Sequence, residues 1–214
     1  NVRSNSAPVV LSQSLTTNED TAAFATLSAA DAESDPLTFS VSASPAHGTL
    51  SGNAPNLTYV PDRDFNGADS FTFKANDGDL DSALATVSII VLPVNDAPLF
   101  DFIEDVLVVE GSGAHTLTVT GVLPRGGPDE AGQTVELTAF SNDPSLIADP
   151  SVAGTGAMRT LIFTPLGVGL AVIVVKAKDP GGTANGGHDT WTRGFKITVT
   201  QRAVTAEDGG TGGG

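Results

Sequence analysis

The chain is predicted to be all-β, folded as two tandem two-sheet sandwiches. Three observations carry that prediction. Apolar residues alternate with a period of two along most of the 214 residues, and helical spacing is nearly absent. Turn-forming clusters interrupt the pattern every 8–12 residues or so, as short antiparallel strands require. A seam also recurs: Asn5-Ser6-Ala7-Pro8 near the start and Asn95-Asp96-Ala97-Pro98 near the middle. The roughly 90 residues between the seams match one small sandwich.

In the first unit, strands are expected at Val9–Leu15, Ala22–Leu27, Leu37–Ala43, Leu57–Val60, Ser70–Ala75 and Ala83–Leu92. Ala46-His47-Gly48, Ser51-Gly52-Asn53, Asn66-Gly67 and Asn76-Asp77-Gly78 read as the turns between them. The second unit repeats the plan at Val106–Glu110, His115–Gly121, Val135–Ser141, Thr160–Thr164, Gly169–Lys176 and Thr190–Thr200. Two stretches align the units. Leu57–Pro61 matches Leu161–Pro165, and Phe71–Gly78 matches Ile173–Gly181. Six or seven short strands in about 90 residues is the profile of an immunoglobulin-like Greek-key sandwich. The boundaries follow: a linker at 1–6, a first repeat at 7–96, a diverged second repeat at 97–204 and a flexible Gly-rich tail at 205–214. The chain reads as a mature product or an excised fragment.

Composition narrows the chemistry. The net charge is −15, from 25 acids against 10 Lys and Arg. Phosphate backbones and anionic lipid surfaces both need basic patches, so nucleic acid is excluded as a partner. Divalent cations are the natural partners of such a surface. There is no cysteine, which excludes disulfides and thiolate metal sites. The greasiest run, Gly167–Val175, is too short to span a bilayer, so no membrane insertion is expected.

The acids are not scattered. They fall at Glu19-Asp20, at Asp31, Glu33 and Asp35, at Asp62 and Asp64, and at Asp77, Asp79 and Asp81. Alternate carboxylates in a loop can converge on one hard cation, but Ca2+ takes about six to eight oxygens, so several loops must meet. In an up-and-down sandwich, the loops after the second and sixth strands lie at the end where the unit begins. These carry Asp31, Glu33, Asp35, Asp77, Asp79 and Asp81. Glu19, Asp62 and Asp64 lie at the opposite end, where the exit linker Asn95-Asp96 leaves. The start-end loops of the second unit carry Asp129, Glu130 and Asp179 and face the same linker.

On these motifs the chain resembles the cadherin superfamily, in particular the bacterial cadherin-like tandem repeats of large extracellular surface and adhesin proteins. The residues that carry the resemblance are Asn18-Glu19-Asp20, Asp31–Phe39, Asp64–Phe73, Asn76-Asp77-Gly78 and Pro93–Pro98, with Pro128–Thr134 and Asp179–Gly187 in the second unit. It implies a Ca2+ site between repeats, held by Glu19, Asp62, Asp64, Asn95 (by its carbonyl), Asp96, Asp129, Glu130 and Asp179. A second Ca2+ site, from Asp31, Glu33, Asp35, Asp77 and Asp79, is a further expectation. The second unit departs from the pattern. Leu166–Gly169 replaces the acidic loop, and Gln201–Val204 lacks the seam. The implied function is a Ca2+-stiffened structural or adhesive module at the cell surface, whose partners are neighbouring repeats or identical chains.

Other classes are weighed against it. His47, His115 and His188 are dispersed, and His188-Asp189 is the only His–Asp neighbour pair for a hydrolase. No His-Glu-x-x-His and no phosphate-binding loop is present, and the chain is not expected to be an enzyme. Tyr59 reads as core. Trp191 reads as a strand-edge cover or as a platform for a surface polysaccharide. Asn56-Leu57-Thr58 reads as a strand start rather than a glycosylation site. Lys74 and Lys176 occupy matching positions where an intramolecular Lys–Asn bond is conceivable. An extracellular filament assembled by strand contacts, and a polysaccharide-binding module of a secreted enzyme, are the alternative functions.

Overall fold

The computed structural model describes residues 4–203; the tail expected at 205–214 lies outside them. Contacts divide the chain into two compact units that meet in sequence between Asn95 and Asp96. Apart from one three-residue 3₁₀ turn at Ala184–Gly186, every regular element among the described residues is a strand.

The first unit holds β1 (Val9–Val10), β2 (Gln13–Asn18), β3 (Ala23–Thr26), β4 (Ala29–Ala30), β5 (Thr38–Ala43), β6 (Gly48–Asn53), β7 (Asn56–Pro61), β8 (Gly67–Asn76) and β9 (Ala85–Leu92). One sheet runs β2-β9-β8-β5, the other β3-β7-β6, and β1 pairs with β4. All pairs are antiparallel except β2 with β9. The strand expected over Val9–Leu15 is thus two strands. The chain passes from β4 to β9 across Leu11-Ser12, which belong to neither. Alternation fixes which face is buried. Ala85, Val87, Ile89 and Val91 of β9 and Phe71, Phe73 and Ala75 of β8 point inward, against Leu57 and Tyr59 of β7. Burying each such Ile or Phe contributes about 1.5–3 kcal/mol, which is how a unit of this size stands without disulfides.

The second unit holds β10 (Val106–Val109), β11 (His115–Val119), β12 (Glu136–Ser141), β13 (Ser151–Ala153), β14 (Arg159–Phe163), β15 (Gly169–Lys178) and β16 (Thr190–Thr200). Its sheets are β10-β16-β15-β12 and β11-β14-β13, with β10 and β16 parallel. The topology repeats that of the first unit around a separate core of Ile147, Leu161, Ile173, Val175, Phe195 and Ile197.

Besides the split of the first strand and the unexpected two-residue β4, two more strands depart from expectation. Gly48–Asn53 is strand β6, not a pair of turns, because its backbone pairs fully with β7. Gly48 is there for space: a Cβ would lie 2.5 Å from the Tyr59 ring. Ser151–Ala153 is strand β13, too short to show a period.

Candidate cation-binding acids

At the start end of the first unit, the acids are organised by their own loops. Asp31 Oδ1 accepts the N–H groups of Glu33 and Asp35, both at 2.9 Å. Asp77 Oδ1 accepts those of Asp79 and Leu80 at 2.8 and 2.7 Å. These backbone donors hold the Asp77 carboxyl below the usual range. The N-terminal seam closes on the same loops. Asn5 Nδ2 donates to Asp77 Oδ2 at 3.2 Å, and Ser6 gives both its N–H and its hydroxyl to Glu33, each at 3.2 Å. Asp31 Oδ2 and Asn5 Oδ1 are enclosed without a hydrogen-bond partner among the described residues. Of the five residues expected here, Asp31, Glu33 and Asp77 take part in this network through their carboxylates. Asp35 and Asp79 contribute backbone N–H groups.

At the other end of the first unit, Glu19 is buried and its carboxylate accepts the N–H of Val94. Asp20 Oδ1 accepts the N–H of Asp64 at 3.1 Å, and a carboxylate oxygen of each lies within 4.8 Å of the other. Both take positive φ, 53° and 54°, which Asp tolerates better than most side chains. Asp62 is exposed, and Asn95 is buried. Asp20 was legible as a neighbour of Glu19 but was not among the expected ligands. Asn5 and Ser6 were legible only as a seam.

In the second unit, Asp96 N–H donates to Glu130 Oε1 at 2.9 Å. Glu130 stands in a tight turn, its N–H on Gly127 O at 3.1 Å and its carbonyl taking the N–H of Gln133 at 2.8 Å. Gly126 lies against its carboxylate, where a Cβ would overlap it. Glu130 is 3% exposed, and its Oε2 is enclosed with no hydrogen-bond partner among the described residues. Burial pushes its carboxyl up to about 7, against the pull of the Asp96 N–H, and the negative charges of Asp96, Asp129 and Asp179 push it the same way. Asp179 is 2% exposed, with Oδ1 accepting the N–H of Gly181 at 3.0 Å. This unit therefore gathers Asp96, Asp129, Glu130 and Asp179 around one desolvated carboxylate. The donor set is all oxygen, which suits a hard cation of the Ca2+ class.

The other residues singled out have packing roles. His47 stacks on Phe65 at 4.3 Å, and His115 stacks on Phe163 at 5.6 Å. Asp189 pairs with Lys178 at 3.5 Å. Tyr59 is fully buried, its hydroxyl donating to Asp69 Oδ2 at 2.9 Å and lying 3.1 Å from His47 O. Lys74 sits on the outer face of its sheet in an ion pair with Asp81 at 2.5 Å. A mainly apolar groove of about 490 Å3 lies beside β12 and β14. The Arg159 guanidinium at its rim donates to the backbone carbonyls of Val135 and Gly156.

Residues 5–90 match the family described as Bacterial Ig domain, nearly the whole of the first unit. No curated protein matches the sequence. Among solved structures, cadherin domains 3–6 of protocadherin gamma B2 are similar over 90% of this chain and 47% of that one, at 10% identity and a TM-score of 0.52. Drosophila N-cadherin EC1–4 covers 93% of this chain and 50% of that one, at 15% identity and a TM-score of 0.48. An endo-fucoidan hydrolase of glycoside hydrolase family 107 covers 92% of this chain and 29% of that one, at 21% identity and a TM-score of 0.37. The chain thus spans about a third to a half of these proteins. The first of them shows the fold; the other two scores are too low to add to it. Domains of this kind are typically extracellular and non-catalytic. No helix among the described residues is long and apolar enough to cross a membrane. The first unit thus matches a bacterial immunoglobulin-domain family, and the chain has a fold like that of tandem cadherin domains.

Proposed function

We propose that this chain is a structural or adhesive segment of a bacterial cell-surface protein, stiffened by Ca2+ bound at the acids beside its seams. The observation that carries the reading is Glu130. A buried carboxylate with an unpartnered oxygen, facing Asp96, Asp129 and Asp179, is costly unless a cation joins it. Glu19, Asp20, Asp62 and Asp64, together with the Asn95 carbonyl, are proposed to contribute ligands from the first unit. Asp31, Glu33 and Asp77 with Asn5 are proposed to hold a second ion. Ca2+ shared across the Asn95–Asp96 seam would fix one repeat on the next, where linked domains otherwise move freely. Neighbouring repeats or identical chains are then the partners.

A thermal melt tests it. A ligand bound only by the folded form raises the melting temperature. Millimolar Ca2+ after EDTA is expected to raise it and Mg2+ to do so far less, and Asp96→Ala is expected to lose the Ca2+ effect. A melt indifferent to Ca2+ would sink the proposal.

One observation favours polysaccharide binding as a second reading. Trp191 is 42% exposed and Phe102 65% exposed, and the Arg193 guanidinium lies 5.4 Å over the Phe102 ring. Retardation in a polysaccharide gel, lost in Trp191→Ala, would support it. Unchanged migration in every gel tested would set it aside.

A further inference from the structure

An uncharged strip runs along one side of the first unit, in a chain of net charge −15. Between the edge strands β2 and β3 the two sheets part into a cleft of about 460 Å3. Its floor is apolar: Ala25 and Val87 belong to the core there, and Leu15 packs against them. Its walls are hydroxyl and amide, from Ser12, Gln13, Ser14 and Thr26, and Phe24 stands at its rim. No charged side chain lines it. That volume, with an apolar floor and a few polar groups, is characteristic of a small-molecule site.

The polar groups of the cleft keep bonding capacity. Gln13 Nε2 donates to the Thr26 carbonyl at 3.1 Å and to Ser28 Oγ at 3.2 Å. Both its hydrogens are spent, and its Oε1 is left to accept. Thr26 Oγ1 donates to Asn56 Oδ1 at 3.3 Å, which leaves the Asn56 amide nitrogen to donate. Past the Gln13–Ser28 bond lies a smaller hollow of about 220 Å3, lined by Val9, Leu11, Ser28, Ala29 and Ala30 and again uncharged.

The outer face of β3-β7-β6 continues the strip. Its cross-strand rows are Phe24–Thr58–Ser51 and Thr26–Asn56–Asn53, with Val60–Thr49 beside them, and none carries a charge. The matching sheet of the second unit is uncharged too, in Thr116–Ile162–Ser151 and Thr118–Thr160–Ala153, so neutrality alone marks no site. The aromatic does. Thr116 holds in the second unit the register position that Phe24 holds in the first. Phe24 is 81% exposed, the most exposed large apolar side chain among the described residues.

We propose that this strip binds a neutral polysaccharide, with Phe24 stacked on a sugar ring at the mouth of the cleft and Gln13, Ser14 and Asn56 exchanging hydrogen bonds with its hydroxyls. A sugar ring has an apolar C–H face that packs on an aromatic ring, edged by hydroxyls that both donate and accept. The strip offers both kinds of partner. An anionic glycan would find no Lys or Arg on this face and would meet the chain's net negative charge. A lipid or an apolar protein surface would strip water from the hydroxyls and amides without replacing their hydrogen bonds. The site lies in the first unit and Trp191 in the second, and the proposal rests neither on Trp191 nor on the cation reading.

Affinity electrophoresis of the full chain in gels holding galactomannan, laminarin or arabinoxylan tests it, with alginate as the anionic control. Wild type is expected to be retarded in at least one of the neutral gels and not in alginate. Phe24→Thr, which copies the second unit, is expected to raise the Kd about tenfold or more. Its melting temperature should stay that of wild type, because the side chain it replaces is exposed. Phe24→Tyr is expected to keep the binding, and Trp191→Ala to leave it as in wild type. Retardation in none of the neutral gels, a Phe24→Thr chain retarded like wild type, or retention only in alginate would each overturn the proposal. So would self-association of wild type in sedimentation velocity that Phe24→Thr abolishes, since the face would then belong to a second copy.

Discussion

Replacing Glu130 by Gln should stabilise the metal-free protein and destroy its response to Ca2+. Glutamine keeps the shape and an oxygen to accept the Asp96 N–H, but carries no charge. In the folded chain the Glu130 carboxyl titrates at about 7 rather than the ordinary 4.5. A raised carboxyl favours the fold in its protonated form, so its stabilising effect is present in full below 4.5 and is lost as pH rises toward 7. At about 1.4 kcal/mol per pKa unit, the ionised side chain costs the metal-free fold roughly 3 kcal/mol at pH 8. Denaturant unfolding in EDTA at pH 5 and pH 8 measures this directly. Wild type should lose most of that amount between the two, and Glu130→Gln should lose little. In Ca2+ the order should reverse at pH 8, because only the wild type supplies the ligand. If Glu130→Gln is no more stable than wild type in EDTA at pH 8, the desolvated-carboxylate argument is wrong.

Three further changes probe the fold. Tyr59→Phe removes a hydroxyl bonded to Asp69 in a fully buried side chain, and should cost about 1–3 kcal/mol by denaturant unfolding. Gly48→Ala drives a Cβ into the Tyr59 ring and the Val60 carbonyl, and should cost about 1–3 kcal/mol for overpacking, read as a lower melting temperature. Leu161→Ala empties a fully buried position in the second core and should cost about 2–5 kcal/mol. Unfolding followed at Trp191, which lies in the second unit, should report that loss.

Much of the fold was legible because Phe71, Phe73 and Ala75 of β8 and Phe195, Ile197 and Val199 of β16 recur with a period of two, which leaves a strand only one way to face the core. What failed was local. Gly48, Gly52 and Asn53 look like turn residues, but Gly48 is dictated by the Tyr59 ring across the sheet, a contact 11 residues away that no window reveals. β13 has three residues and draws its pairing wholly from β14. Of the acids, the grouping by loop was legible from strand order alone. Asp20 was passed over because its role rests on a left-handed backbone that brings it to the Asp64 N–H. The uncharged face around Phe24 was latent in β3 and β7, but only register shows that Phe24, Thr58 and Ser51 share a row.

The repeated seam has a physical meaning that one substitution tests. In both units the residue after the seam asparagine gives its N–H to a glutamate: Ser6 to Glu33, and Asp96 to Glu130. The partners then differ. Ser6 adds a hydroxyl donor to Glu33, whereas Asp96 adds a negative charge beside Glu130. Glu33 at the first seam is thus satisfied by the chain's own hydrogens, whereas Glu130 at the second keeps an enclosed oxygen without a hydrogen-bond partner among the described residues. Ser6→Asp should turn the first into the second. It removes one bond to a carboxylate and sets a like charge beside it, so the first unit should lose about 1–2 kcal/mol in EDTA, at the low end for a charged hydrogen bond because Glu33 is partly solvated. Ca2+ should restore the loss and bind more tightly than in wild type, by calorimetry. A Ser6→Asp chain equally destabilised with and without Ca2+ would show that the aspartate of the seam shapes a turn and recruits no ion.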